Sequence, residues 1–369
     1  MRYRTYPGTD ITVSEVGFGL WTLAAGWWGD FTDHEAVALL HRAFDLGVTH
    51  YDSGDTYGNG RADELLRRAF ADRWDGVTVT TKVGYDFYAH PDARRGQQAI
   101  PHNPSPDYLR SAVERSLERM GREVLDIVSF HNAEMEHVDD DAIWDTLQRL
   151  REEGKIRAWG AALGPSNGYL YEGLELIRRR GVASLQLIDN VLEPFPGQAL
   201  TRAAEEAGAT GIQVRVTHSS GMLEGRYTED TEFAANDHRR HRPRSWLING
   251  LKKLEALRWL HESGEMTIGQ AALKYLLASP AVMTTLPNIY NAEQLEEFAA
   301  APDLPDLSAD DLARIRELQR ANFGVPEEHM RYKGTMRIEG EPVIAPPWRY
   351  EGDGYGAAEE SASGAGAHA

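Results

Sequence analysis

Asp52, Tyr57, Lys82 and His131 are the residues whose types and spacing could do chemistry together. A phenol is a poor acid at neutral pH, with an ordinary pKa near ~10. An ammonium beside it favours the phenolate and lowers that value, while a carboxylate holds the ammonium in place and offsets its desolvation. An imidazole can hydrogen-bond the same substrate oxygen. Together the four make a proton donor aimed at a carbonyl oxygen, with Tyr57 as the acid. Singly, each has a plainer reading. Asp52 could cap a helix, Tyr57 could anchor a loop, and His131 could be a satisfied core histidine. Lys82 is harder to explain away. Only six of the 39 basic residues are lysine, and this one follows the buried-looking run Val77-Thr78-Val79-Thr80-Thr81, where an unpaired charge would be costly.

A frame must bring these side chains together. Short β-branched runs alternate with amphipathic helical patterns as far as about residue 320. The pattern predicts strands at 15–20, 48–52, 77–83, 125–130, 157–162, 184–189, 211–216 and 282–286. Helices are expected over 32–47, 105–121, 139–153 and 267–277, each opened by a capping residue or N-terminal proline, or closed by glycine. This rhythm fits an α/β chain folded as one (β/α)8 TIM barrel over 1–323 better than two doubly wound halves. In such a barrel the active site lies at the C-terminal ends of the strands, where Asp52, Lys82 and His131 fall. Residues 2–13 read as an N-terminal β-hairpin that plugs the other end. The long interval after 216 is expected to hold a loop over 221–244 and an extra helix over 246–262. Residues 324–352 read as a C-terminal arm carrying Tyr332, Trp348 and Tyr350, and 353–369 as a disordered tail.

Several motifs resemble the aldo-keto reductase family. They are Gly17-Phe18-Gly19-Leu20-Trp21, the run Val48 to Gly58 with Asp52 and Tyr57, Thr81-Lys82, Leu125 to His131, Ser116 to Gly121, Gly154 to Gly160 and Glu293 to Glu297. The resemblance implies a TIM barrel, a nicotinamide cofactor held without a Rossmann domain, and reduction of an aldehyde or ketone. It makes Tyr57, Lys82, Asp52 and His131 the catalytic set. The cofactor positions it implies are Gly19, Trp21, Gln186, Arg215, Asn288, Gln294 and Glu297. Three features depart from the family pattern. Gly160-Ala161-Ala162-Leu163 stands where a Ser-Asn pair usually holds the nicotinamide carboxamide, although Ser166-Asn167 follows. Arg215 stands where an aromatic usually stacks on the nicotinamide. No Lys or Arg lies between Asn288 and Gln294, where the family usually offers one to the 2′-phosphate. The resemblance therefore implies NADP(H), with NAD(H) use clearly detectable.

A net charge of −18 argues against nucleic acid or anionic membrane as the main partner. The absence of cysteine excludes disulfides, thiol catalysis and thiolate metal sites, and no metal site is expected elsewhere. His238 and His241, among Arg239, Arg240, Arg242 and Arg244, read as a solvated or salt-bridged basic patch. Trp21, Trp27 and Trp28 read as an aromatic pocket wall. The expected partner is a small-molecule carbonyl compound and the expected setting cytoplasmic. Two other readings stay open: a Schiff-base barrel enzyme using Lys82, and a non-catalytic nucleotide-sensing subunit.

Overall fold

The computed structural model describes residues 1–26, 29–90, 100–234, 237–326 and 331–349. Trp27, Trp28, Tyr350 and the expected tail lie outside the described residues. The chain opens with an antiparallel hairpin of β1 (Tyr3–Thr5) and β2 (Thr12–Ser14). Eight parallel strands then pair in chain order: β3 (Phe18–Gly19), β4 (His50–Asp52), β5 (Thr78–Val83), β6 (Leu125–His131), β7 (Ile156–Ala162), β8 (Ser184–Ile188), β9 (Gly211–Arg215) and β10 (Val282–Leu286). The ring closes at Thr285. Its N–H donates to the Glu15 carbonyl and its carbonyl accepts from the Gly17 N–H, both at 2.9 Å. The expected barrel is therefore present, with its strands where the β-branched runs lie.

Local chemistry explains most of the helices. Thr32 and Glu35 form a reciprocal cap on Asp33–Asp45, and Thr267 and Gln270 do the same for Ile268–Leu277. Pro106–Met120 ends at Gly121, whose φ of 67° suits a residue without Cβ. Two expectations need correction. The helix expected over 139–153 is broken at Asp140, whose backbone is extended and whose carboxylate caps the Ala142 N–H at 2.9 Å. Met135–Asp139 and Asp141–Glu152 are separate helices because this side chain competes for backbone donors. The helix expected over 246–262 runs instead from Arg244–Ala256 and tightens into a single 3₁₀ turn at Arg258–Leu260.

The barrel interior is graded from apolar to polar. At its N-terminal end Tyr6, Ile11 and Val13 of the hairpin pack on Ile127, Ala158 and Met283, a cluster separate from the main core. The hairpin is the plug the sequence implies. Arg4 fastens it by donating to the carbonyls of Leu277, Ser279 and Val282 at 2.6–2.7 Å. Toward the other end the buried set turns to Thr80, Ser129, Ser184 and Gln213, then Asp52, Lys82, His131 and Gln186. Outward-facing Val79, Val128, Leu185, Ile212 and Val214 bury against the helical ring.

The C-terminal arm packs against the loops at this polar end. Lys333 N–H donates to the Asn167 carbonyl at 3.0 Å, Tyr169 N–H to that of Lys333 at 2.7 Å, and Tyr171 N–H to that of Thr335 at 3.0 Å. A Cβ at Gly168 would sit 2.1 Å from the Lys333 carbonyl oxygen, so only glycine allows this approach. Thr335 N–H also reaches both carboxylate oxygens of buried Glu172, at 2.8 and 3.1 Å. Tyr332 stands edge-on to Phe195, ring centroids 5.3 Å apart. Among the described residues, no helix is long and apolar enough to cross a membrane.

Candidate active site

Asp52 and His131 are the last residues of β4 and β6, and Lys82 is the penultimate residue of β5. The ladder sets Asp52 beside Thr80 and Lys82 beside Ser129. Lys82 Nζ donates to both oxygens of Asp52, at 2.7 and 2.8 Å, and to the Ser53 carbonyl at 2.7 Å. Tyr57 comes from a tight turn after β4, in which its N–H donates to the Gly54 carbonyl at 2.9 Å. The Asp55 N–H ties that turn to β5 through the Lys82 carbonyl at 3.0 Å. The ammonium consequently lies 4.9 Å from the centre of the Tyr57 ring. His131 stands edge-on to Tyr57, centroids 5.8 Å apart. All four sequence-derived catalytic candidates meet in one place.

Their protonation follows from burial and charge. Burial raises the Tyr57 phenol, Lys82 pulls it down, and the net direction is upward. The sequence reading anticipated only the downward pull, because desolvation was not visible there. Lys82 is itself lifted above its ordinary value: burial opposes the charge, but Asp52 and Tyr57 together outweigh it. His131 is held well below the usual imidazole range, first by burial and then by the positive charges of Lys82 and Arg215. Its buried Nδ1 has no protein partner.

The remaining predicted residues divide into two groups. Gly19 pairs with Asp52 at the barrel mouth and leaves open space where a Cβ would point. Trp21, 37% exposed, stands edge-on to Tyr57 with centroids 5.0 Å apart, consistent with a pocket wall. Gln186 donates to Asp52 Oδ1 at 2.8 Å. Arg215 ends β9, and its Nη2 donates to the Leu163 carbonyl at 3.1 Å and to that of Gly164. Burial pulls this guanidinium below its ordinary value, against the influence of Tyr57 and Asp52. Farther out, half-buried Asn288 follows β10. Gln294 donates to Glu224 Oε2 at 2.9 Å, and Glu297 accepts from the Thr267 hydroxyl, bracing the start of Ile268–Leu277.

Sequence reasoning missed four neighbours. Tyr85 stands edge-on to His131 at 5.0 Å and accepts from Asn132 Nδ2 at 2.8 Å. Tyr169 enters from the loop clamped by the arm. Gln213 lies beside Gln186. Glu224 accepts from the Tyr290 hydroxyl at 2.9 Å, and burial raises its carboxyl despite Tyr290, Arg226 and Arg239. Its placement between glycines, in Gly221-Met222-Leu223-Glu224-Gly225, was the available signal. In the basic patch, Arg239 pairs with Asp237, and Arg242 reaches Ser220 Oγ at 3.1 Å and Glu193 at 3.6 Å. Among the described residues no cluster could hold a metal ion.

A sequence model of the Aldo/keto reductase family matches residues 15–320. The chain belongs to that family. As an aldo-keto reductase it is an oxidoreductase acting on carbonyl compounds. It is similar to the aldo-keto reductase yakc [NADP(+)] of Schizosaccharomyces pombe, 29% identical over 297 residues, 78% of this chain and 83% of the relative. It is also similar to the NADH-specific methylglyoxal reductase of Escherichia coli, 27% identical over 326 residues, 85% and 97% of the two chains. The solved glycerol dehydrogenase of Gluconobacter oxydans superposes with a TM-score of 0.73 at 21% identity, covering 90% of this aldo-keto reductase and 99% of that chain. That last likeness concerns the fold alone.

Proposed function

We propose that this aldo-keto reductase reduces an aldehyde or ketone with a nicotinamide cofactor, and that Tyr57 donates the proton. The observation that carries this reading is the Lys82 ammonium. It is held on Asp52 at 2.7 and 2.8 Å while facing the Tyr57 ring at 4.9 Å, where the strands run out. Burial keeps the resting phenol protonated, so the proton is in place before the substrate arrives. As the proton leaves, the developing phenolate gains the full attraction of Lys82 in a dry site, an interaction stronger in the transition state than at rest. Neutral His131 offers a ring nitrogen to the carbonyl oxygen without adding positive charge. Trp21, Tyr85 and Tyr169 wall the substrate space.

Features of the site support a dinucleotide as the cofactor. The space above Gly19 is open, and the buried acceptors Asn167 Oδ1 and Thr217 Oγ1 have no protein partner. Left-handed residues Ser219, Ser220 and Gly221 form a turn approached by the Arg239 and Arg242 guanidiniums, a setting suited to phosphate. Gln186, Asn167 and Arg215 would hold the nicotinamide end, and Asn288, Gln294 and Tyr290 the adenosine end. When bound, the cofactor supplies a hydride to the carbonyl carbon. A Schiff-base role suits the site poorly, since Lys82 is held charged by Asp52 and an ammonium is no nucleophile. The test is carbonyl-dependent oxidation of NADPH and NADH over a panel of aldehydes and ketones. Oxidation with several of them supports the reading; cofactor binding without turnover on any carbonyl would contradict it and favour a sensing role.

A further inference from the structure

Beneath the reacting pair, the barrel interior holds a run of amides and hydroxyls that leads from Gln186 and Asp52 to Gln213, Thr80 and Ser184, three side chains the mechanism does not use. Gln186 Nε2 donates to Asp52 Oδ1 at 2.8 Å and to Gln213 Oε1 at 3.2 Å. Gln213 Nε2 in turn donates to Thr80 Oγ1 at 2.9 Å and to Ser184 Oγ at 3.0 Å. The two glutamines are ladder partners across β8 and β9, and all five side chains are buried. The polarity of this run is dictated at one end. A carboxylate only accepts, so Gln186 must turn its NH2 toward Asp52. The same NH2 meets Gln213, which must therefore present its oxygen. That leaves the Gln213 NH2 for the two hydroxyls. Turning Gln186 around would set a carbonyl oxygen against a carboxylate, and turning Gln213 would set two NH2 groups face to face, both between buried side chains where such a clash is most costly.

We propose that Gln213 is a positioning residue of this site: it locks the orientation of Gln186, so that Asp52 keeps a donor besides Lys82 and stays aimed at the ammonium. The proposal rests on the reading that Asp52, Lys82 and Tyr57 carry the reaction. A carboxylate held at one oxygen by an amide cannot swing with the lysine, so the Lys82 charge stays fixed beside the phenol. Losing that hold weakens stabilisation of the phenolate in the transition state and leaves ground-state binding of the carbonyl substrate alone.

The test compares Gln213→Met and Gln213→Glu in the full chain with cofactor. The first keeps length and apolar bulk but removes both ends of the relay. The second, neutral when buried at mildly acidic pH, offers the same oxygen to Gln186 and an O–H to one of the two hydroxyls. Gln213→Met is expected to lower kcat roughly tenfold, as for loss of a hydrogen bond to a charged group, while carbonyl KM changes little and the melting temperature falls modestly because hydroxyls and an amide are left buried without a partner. Gln213→Glu is expected to recover most of the lost kcat at mildly acidic pH. Wild-type kcat in Gln213→Met, or equal losses in both variants, would overturn the proposal. Should Gln213→Met fail to fold, Thr80→Val with Ser184→Ala removes the anchors of the same amide. A loss of kcat at constant KM then supports the relay, and an unchanged kcat overturns it. Lys82→Met run alongside separates the two layers: if it retains turnover, the reading of the site itself falls.

Discussion

Lys82 and Asp52 form a bidentate ion pair inside the barrel, with side-chain exposures of only 1% and 6%. Removing one member of such a pair strands the other charge in a dry interior. Lys82→Met is therefore expected to destabilise the fold by about 3–5 kcal/mol as well as to impair turnover. Adding Asp52→Leu should return much of the stability and none of the activity. Denaturant unfolding of the wild type, the single variant and the double variant checks this, and a Lys82→Met protein as stable as the wild type would contradict a charged buried pair.

Arg215 places a positive charge near Tyr57 and Asp52 while its Nη2 is engaged with the carbonyls of Leu163 and Gly164. If the nicotinamide lies against this guanidinium, the cationic oxidised ring is repelled more than the neutral reduced ring. Reduced cofactor should then bind more tightly than oxidised cofactor, and Arg215→Tyr should narrow the gap. Dissociation constants for both forms in both proteins decide it. An unchanged ratio removes Arg215 from contact with the ring.

The arm holds the loop that carries Tyr169, through three backbone hydrogen bonds and the Glu172 carboxylate. Ending the chain after Phe323 frees that loop. Carbonyl KM should change by about threefold or more, the scale of one lost hydrogen bond, with kcat less affected. Identical kinetic constants on every substrate of the panel would reduce the arm to a surface strap.

The frame was legible in the sequence because β-branched runs and capping residues act locally. Asp52, Lys82 and His131 could be placed at strand ends for the same reason. Most of what stayed hidden depends on contacts between distant segments. The short helix Met135–Asp139 and the cap at Asp140, which starts the next helix two residues later than expected, depend on local backbone geometry that periodicity does not show. The Gln186–Gln213 relay needs the parallel register of β8 and β9, and the grip of the arm on 167–171 joins residues far apart in sequence. The direction of the Tyr57 shift required knowing how completely the phenol is buried.

Cofactor choice turns on the outer end of the site. Glu224, held by Tyr290 and Gln294, puts a carboxylate beside the segment expected to meet the 2′-phosphate, and the net charge of −18 gives an anion no long-range help. NADPH should be preferred over NADH by no more than about a thousandfold, or ~4 kcal/mol. Glu224→Gln should shift the balance toward NADPH by roughly threefold to tenfold, as for removal of one partly screened charge. Catalytic efficiencies with both cofactors measure both quantities. A stronger native preference for NADPH would mean that Arg226 or Arg239 outweighs Glu224.

Tyr57→Phe removes one hydroxyl and leaves the packing of the ring intact. Because burial raises the phenol, wild-type carbonyl reduction should hold through neutral pH and fall only on the alkaline side, while alcohol oxidation, which needs the phenolate, should climb with pH. Single-turnover reduction by the cofactor-loaded Tyr57→Phe protein, measured beside the wild type across that range, isolates the proton donor. The expected result is intact cofactor binding, a rate lower by ~10²–10⁴ and no alkaline limb attributable to the phenol. A rate near that of the wild type, with the same alkaline limb, would contradict the assignment of Tyr57 as the acid.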